Sequence, residues 1–359
     1  MAPSGRIALL ICLSIGASAA ETTVWRLGAI DSSAHEFAAA PNESAALPVV
    51  VRMGQGNEEK QWPGFQPGSA NGRTGAKPYP YAIVFNLDRA PAGVFLLDLA
   101  LLYRQPRTPA IQVEVNGRRG TYFFDPRISG ELGGENDQFN AIVSTARRKV
   151  EIPARFFQQG ENRITLTAID EPAAVTSSSS VAGQGDSGVF YDALSLTNDP
   201  SAAPAQQLEA AFEPTIFYAA DGSEECRVTL RYPSGWPGGE VRIEAGPYAS
   251  TLPAPGGDLG EARFTVSIPE SAGPHVARVE VRSRGQSRPQ FFSLPFTPGR
   301  KWKLYYAPHE HLDIGYTDYR AKVAEVFGAN IDRLLDAFAA DPTYRFNFDA
   351  SWVVKEWLA

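Results

Sequence analysis

Two cysteines and four histidines are all that 359 residues contain, and no long basic run or second apolar stretch accompanies them. Cys12 falls within an expected leader, so Cys226 has no partner for an internal disulfide and the domains must be held by their cores. Cys226 opens a strand-like run and reads as a small buried hydrophobe, not a nucleophile. Lys and Arg number 33 against 40 Asp and Glu, a net charge of −7. Phosphate binding needs clustered cations, which excludes nucleic acid as a partner. No segment offers the about 20 apolar residues of a spanning helix, so no membrane span is expected once the leader is removed. Hydrophobic residues reach 43%, enough for sizeable cores in two or three domains.

The leader occupies residues 1–20. Arg6 gives a positive start, residues 7–15 an apolar centre, and Ala17-Ser18-Ala19-Ala20 the small residues that signal peptidase accepts. Export follows, to the periplasm or outside the cell. A membrane anchor is the alternative, weakened by the shortness of the stretch. Ile11 before Cys12 argues against a lipoprotein.

Residues 22–198 carry β signals. The runs 81–87, 93–102, 111–115 and 163–169 are rich in β-branched, aromatic and leucine residues, and Asn116-Gly117 and Gly160-Glu161-Asn162 punctuate them. No helical period of ten residues interrupts, which predicts a sandwich or jelly roll. Two polar stretches, 133–137 and 176–187, read as exposed loops. Residues 199–207 read as a linker without large side chains. Alternation returns in 227–232, 240–244, 263–268 and 276–281, apolar on one face only, so 208–298 predicts an immunoglobulin-like sandwich acting as a spacer.

From residue 301 the character changes. Residues 302–307 read as a strand. Val323, Val326, Phe327, Ile331, Leu334, Leu335 and Phe338 then form one helical stripe, with Thr317 or Asp318 as cap and Asp341-Pro342 as stop. Residues 344–348 read as a second strand and Ser351 opens a second helix. This βαβα order implies the start of a parallel α/β domain over 301–359. Trp352, Val353, Trp357 and Leu358 have no obvious packing partner before Ala359, so the catalytic domain reads as incomplete. The expected fold class is thus mainly β: a jelly-roll sandwich, an immunoglobulin-like sandwich, then a βαβα opening.

Two of the four histidines lie in Pro308-His309-Glu310-His311-Leu312-Asp313-Ile314-Gly315-Tyr316. Residues two apart in an extended segment share a side, so His309, His311 and Asp313 can face one pocket. The segment follows a strand and precedes a helix, where α/β active sites form. Imidazole nitrogen with carboxylate oxygen suits zinc better than magnesium. Gly315 lets the backbone turn closely. Spacing alone leaves open a polar loop holding no ion, and two ligands do not complete a zinc site.

The run 305–317, with the helix after it and Arg345-Phe346-Asn347-Phe348-Asp349-Ala350-Ser351-Trp352, resembles the opening of glycoside hydrolase family 38, the α-mannosidases. The resemblance covers about the last sixty residues. It implies zinc bound by His311 and Asp313, with His309 and Tyr316 near the site; Tyr316 stands where the family has Trp. It implies a retaining mechanism in which zinc grips sugar hydroxyls and a carboxylate pair does the chemistry. The family's nucleophile and further histidine have no counterpart here and are expected beyond Ala359, so no catalytic residue is assigned and the chain alone should not turn over. Separately, Thr23-Val24-Trp25-Arg26-Leu27-Gly28 and Gly188-Val189-Phe190-Tyr191-Asp192-Ala193-Leu194-Ser195-Leu196 resemble the C-terminal module of rhamnogalacturonan lyases, a galactose-binding-like sandwich. That implies a carbohydrate partner, mannosides or plant or microbial polysaccharide. Trp25, Trp62, Tyr79 and Tyr81 are the aromatics that could stack on sugars, unless they are core. The alternatives are a secreted non-catalytic carbohydrate-binding protein, a module related to polysaccharide lyases, or an adhesion protein, which leaves the histidines unexplained.

Overall fold

Alternating apolar residues whose turns are set by glycine and asparagine build most of the chain, and the computed structural model shows where each face goes. The structure describes residues 21–38, 49–103, 108–125, 127–132, 142–170, 187–270, 275–303, 308–316 and 318–359. The expected leader, the polar loop at 133–137 and all of 176–187 but Ser187 lie outside these. Contact clustering divides the chain at Gly299/Arg300 into two units.

The first unit begins with β1 (Thr22–Gly28), β2 (Val49–Arg52), β3 (Phe65–Pro67), β4 (Tyr81–Leu87), β5 (Val94–Tyr103) and β6 (Ala110–Val115). It continues with β7 (Arg118–Tyr122), β8 (Arg127–Leu132), β9 (Ile142–Pro153), β10 (Gly160–Ile169) and β11 (Gly188–Asp199). One sheet runs β1-β11-β5-β9-β8, with β3 added to β11; the other runs β2-β4-β10-β6-β7. Leu97, Leu99, Leu194 and Leu196 of the first sheet meet Ile83, Val113, Ile164 and Leu166 of the second in one core. The β6–β7 hairpin turns on Asn116 and Gly117, both at positive φ (47° and 87°), the pair a tight two-residue turn requires. Gln66, fully buried, donates to the carbonyls of Tyr79 (2.6 Å) and Leu166 (2.8 Å) and accepts from the Tyr191 hydroxyl (2.6 Å). Each polar end of that amide is therefore matched, as a buried amide must be.

Residues 200–207 are pinned, not loose. Asp199 accepts from the backbone of Ser201 and Ala202, and Ala205 N–H donates to Glu151 (2.6 Å). The second sandwich holds β12 (Glu209–Tyr218), β13 (Glu224–Arg231), β14 (Gly239–Ala245), β15 (Tyr248–Ala254), β16 (Glu261–Ile268), β17 (His275–Ser283) and β18 (Gln290–Phe296). Sheets β12-β13-β16 and β15-β14-β17-β18 enclose Cys226, Val228, Leu230, Val241, Ile243, Val279 and Val281. Leu259 leaves this sandwich to join the core of the first. Beside it Glu261, its side chain fully buried, accepts from Phe123 N–H (3.2 Å), from Arg231 Nε (3.1 Å) and from Arg148.

The second unit contains β19 (His309–Glu310), α1 (Arg320–Ala340), β20 (Asn347–Phe348) and α2 (Ser351–Leu358). β19 and β20 pair in parallel, His309 opposite Asn347. Val323, Phe327 and Ile331 of α1 close a small core with Val353 of α2. Val353 and Trp352 thus do have packing partners, and Trp357 Nε1 donates to Asp332 (3.0 Å). Only part of the expected stripe is covered: Val326, Leu335 and Phe338 are exposed. The N-cap is Tyr319, with no side-chain hydrogen bond, in place of Thr317 or Asp318. Trp302 and Lys303 are not in a strand, and 304–307 fall outside the described residues.

Candidate functional site

Two places bring chemistry-bearing side chains together, one in each unit. In the second unit, His311 follows β19 and Asp349 follows β20, so parallel pairing sets both at the carboxyl end of neighbouring strands. His311 Nδ1 lies 2.9 Å from Asp349 Oδ2, which also accepts the Leu312 N–H at 3.3 Å. With its proton on Nδ1, the imidazole donates to the carboxylate and keeps the Nε2 lone pair for a ligand or a proton. The His311 side chain remains 70% exposed.

The other expected members are not joined to this pair by any described contact. His309 is in the two-residue strand, but residues 311–313 are not extended in a ladder, so the two-residue alternation does not apply to them. Tyr316 is 93% exposed. No group of three or more His, Cys, Asp or Glu among the described residues could hold a metal. His311 and Asp313 offer two donors where zinc takes four, so the residues present do not fit a complete zinc site. Asp349 is the residue missed as a functional partner in sequence reading. Its signal was available only as a carboxylate directly after the second parallel strand.

The expected sugar-stacking aromatics are core. Trp25, Trp62, Tyr79 and Tyr81 are all buried. Trp62 packs edge-on to Tyr81 and Tyr191, with ring centroids 5.6 and 5.3 Å away. At 4% exposure or less, none of the four offers an open face to a ligand.

In the first unit, the solvent face of the β1-β11-β5-β9-β8 sheet forms a hollow of about 520 Å³, closed on one side by Glu213 of β12. Such a volume is of small-ligand size. Its floor includes Ala100, a small residue between the core leucines Leu99 and Leu101. A register shift of β11 against β5 between Tyr191 and Ala193 makes Asp192 a bulged residue. Bulges re-aim a side chain. Here the carboxylate, in a residue 4% exposed, lines the hollow and accepts from the backbone N–H of Asp31 (3.1 Å) and Ser33 (3.3 Å). Burial raises its pKa above the usual carboxylate range, against the lowering effect of those backbone donors. A smaller adjoining hollow adds Arg26, Asp98 and Ser195 and shares Ile30, Ala100 and Arg147. Arg147 grips Asp98 through Nε (2.9 Å) and Nη2 (2.5 Å).

Among the described residues, no helix is long and apolar enough to cross a membrane. No curated protein matches the sequence. Among solved structures, an FMN-binding β-glucuronidase from Facaelibacterium prausnitzii L2-6 is similar at 11% identity over 61% of this chain and 32% of that one, with a TM-score of 0.21. A Parabacteroides merdae β-glucuronidase gives 14% over 65% and 32%, TM-score 0.17. Bacteroides uniformis β-glucuronidase 2 gives 11% over 66% and 30%, TM-score 0.20. The chain spans about a third of their length, and overlaps this loose carry no inference about activity. The sandwich that bears the larger hollow is the part with a family match: residues 23–196 fit the family model described as CBM-like, polysaccharide lyase family 4, domain III.

Proposed function

We propose that this chain belongs to an exported carbohydrate-active protein and that its first sandwich binds glycan in the hollow over Ala100 and Asp192. The match of residues 23–196 to a carbohydrate-binding-module-like domain carries the reading. The hollow supports it: a small-residue floor lies beside a bulged carboxylate and an arginine with donors to spare, the equipment for sugar hydroxyls. The leader at 1–20 supports export, to the periplasm or the outside. Titration calorimetry of the purified chain against a panel of plant and microbial polysaccharides tests it; heat of binding to at least one is expected. Silence across the panel removes the reading.

A second reading adds catalysis: the 301–359 segment opens a zinc-dependent, retaining α-mannosidase-like hydrolase. The His311–Asp349 pair at the ends of two parallel strands favours it. His311 and Asp313 would be the first zinc donors, with Asp349 orienting His311, and the other ligands and the nucleophile would lie outside the described residues. The 359-residue chain should then release no nitrophenol from an aryl α-mannoside. Steady turnover would refute the assignment of the nucleophile elsewhere.

A further inference from the structure

The charges around the hollow decide which sugars it can take. Its two arginines are already engaged: Arg147 by Asp98, Arg148 by the buried Glu261. Asp125 on the wall is paired outward, with Arg263 at 2.9 Å and Arg227 at 3.4 Å. That leaves the carboxylates of Asp192 and Glu213 on the lining without an ion-pair partner among the described residues. The local balance is therefore acidic although acids and bases are both present. Arg26, at the far end, donates through Nε to the Gly28 carbonyl (3.0 Å) and shares its hollow with Asp98.

Resting on the reading that this sandwich binds carbohydrate, we propose that the hollow selects a neutral, hydroxyl-rich sugar and rejects a uronate. The Asp31 and Ser33 amides occupy Oδ1 of Asp192 and fix the carboxylate, which leaves Oδ2 to accept a sugar hydroxyl. Arg147 spends Nε and Nη2 on Asp98, so Nη1–H is left to donate to a sugar oxygen. Ile30, about half exposed at the rim, offers an apolar contact to the C–H face of a ring. The Tyr103 hydroxyl is buried without a hydrogen-bond partner among the described residues. A uronate would set its own carboxylate against Asp192 and Glu213, a like-charge contact that specificity is often built on.

Calorimetric titration of the full chain with a neutral galactan or mannan oligosaccharide and with an oligogalacturonate of matched length tests this. The neutral sugar is expected to bind at least about tenfold more tightly, the scale of one well-placed polar discrimination. Glu213→Lys, on an exposed strand position where folding is not at risk, should raise uronate affinity several-fold and leave the neutral sugar nearly unchanged. Thr145→Trp, which would fill the hollow from β9, and Asp192→Asn should each weaken the neutral sugar by tenfold or more. Tighter binding of the oligogalacturonate overturns the proposal and leaves carbohydrate binding standing. Neutral binding that ignores both Thr145→Trp and Asp192→Asn places the site elsewhere and also overturns it. If neither oligosaccharide nor any panel glycan binds, the underlying reading has failed.

Discussion

Glu261 shows how much one side chain can hold. Its carboxylate belongs to the second sandwich and is fully buried, while Arg148 and the Phe123 amide that bond it belong to the first. Arg148 is itself mostly buried, at 19% side-chain exposure, so removing the carboxylate strands a charge. Glu261→Ala should cost about 3–5 kcal/mol, read as a lowered urea midpoint, whereas Arg231→Ala, whose own side chain is half exposed, should cost under about 1 kcal/mol. Equal small losses would show that the cluster is solvated. Cys226 gives a second test. Burial, reinforced by Glu224 and Glu225, pushes its thiol pKa up to about 12. Folded protein should resist iodoacetamide at pH 8 and label only on unfolding; fast labelling of the native chain would mean an open second sandwich.

At the scale of elements, alternation was enough to find strands and not enough to find what joins them. The runs read as 81–87, 111–115 and 163–169 correspond to β4, β6 and β10 because each sends a series of branched or aromatic side chains into the core. β12, β15 and β18 escaped notice, being edge strands whose outward positions carry apolar residues such as Ile216 and Phe291, which blur the period. The bulge at Asp192 and the His311–Asp349 pair were not legible for a different reason. Both depend on register between strands distant in sequence, which no local pattern encodes. Helix α1 was found by its stripe, but its cap was misplaced, since Tyr319 takes the capping position with its ring exposed. Tyr319→Asp should therefore stabilise the helix by about 1 kcal/mol through the vacant amides and the dipole, seen as a higher midpoint of the 222 nm transition. A lower midpoint would show that the tyrosine ring matters more than the cap.

For the whole molecule, the expected order of sandwich, sandwich and βαβα opening describes the elements seen, because the class of a domain follows from its periodicity. What periodicity could not supply was how the parts join. The two sandwiches fall in one unit, tied by Leu259 and Glu261, and the 200–207 segment between them is anchored to Asp199 and Glu151. Gly120 belongs to the same junction: a side chain there would strike the Leu259 backbone. The second sandwich, expected to act as a spacer, contributes one residue, Glu213, to the lining of the hollow on the first. The central claim is that this hollow binds glycan. Its most direct test is the migration of the chain and of its Thr145→Trp variant in native gels cast with neutral polysaccharide. The account predicts retardation of the parent chain and free migration of the variant. Equal migration of both in every polysaccharide would contradict it.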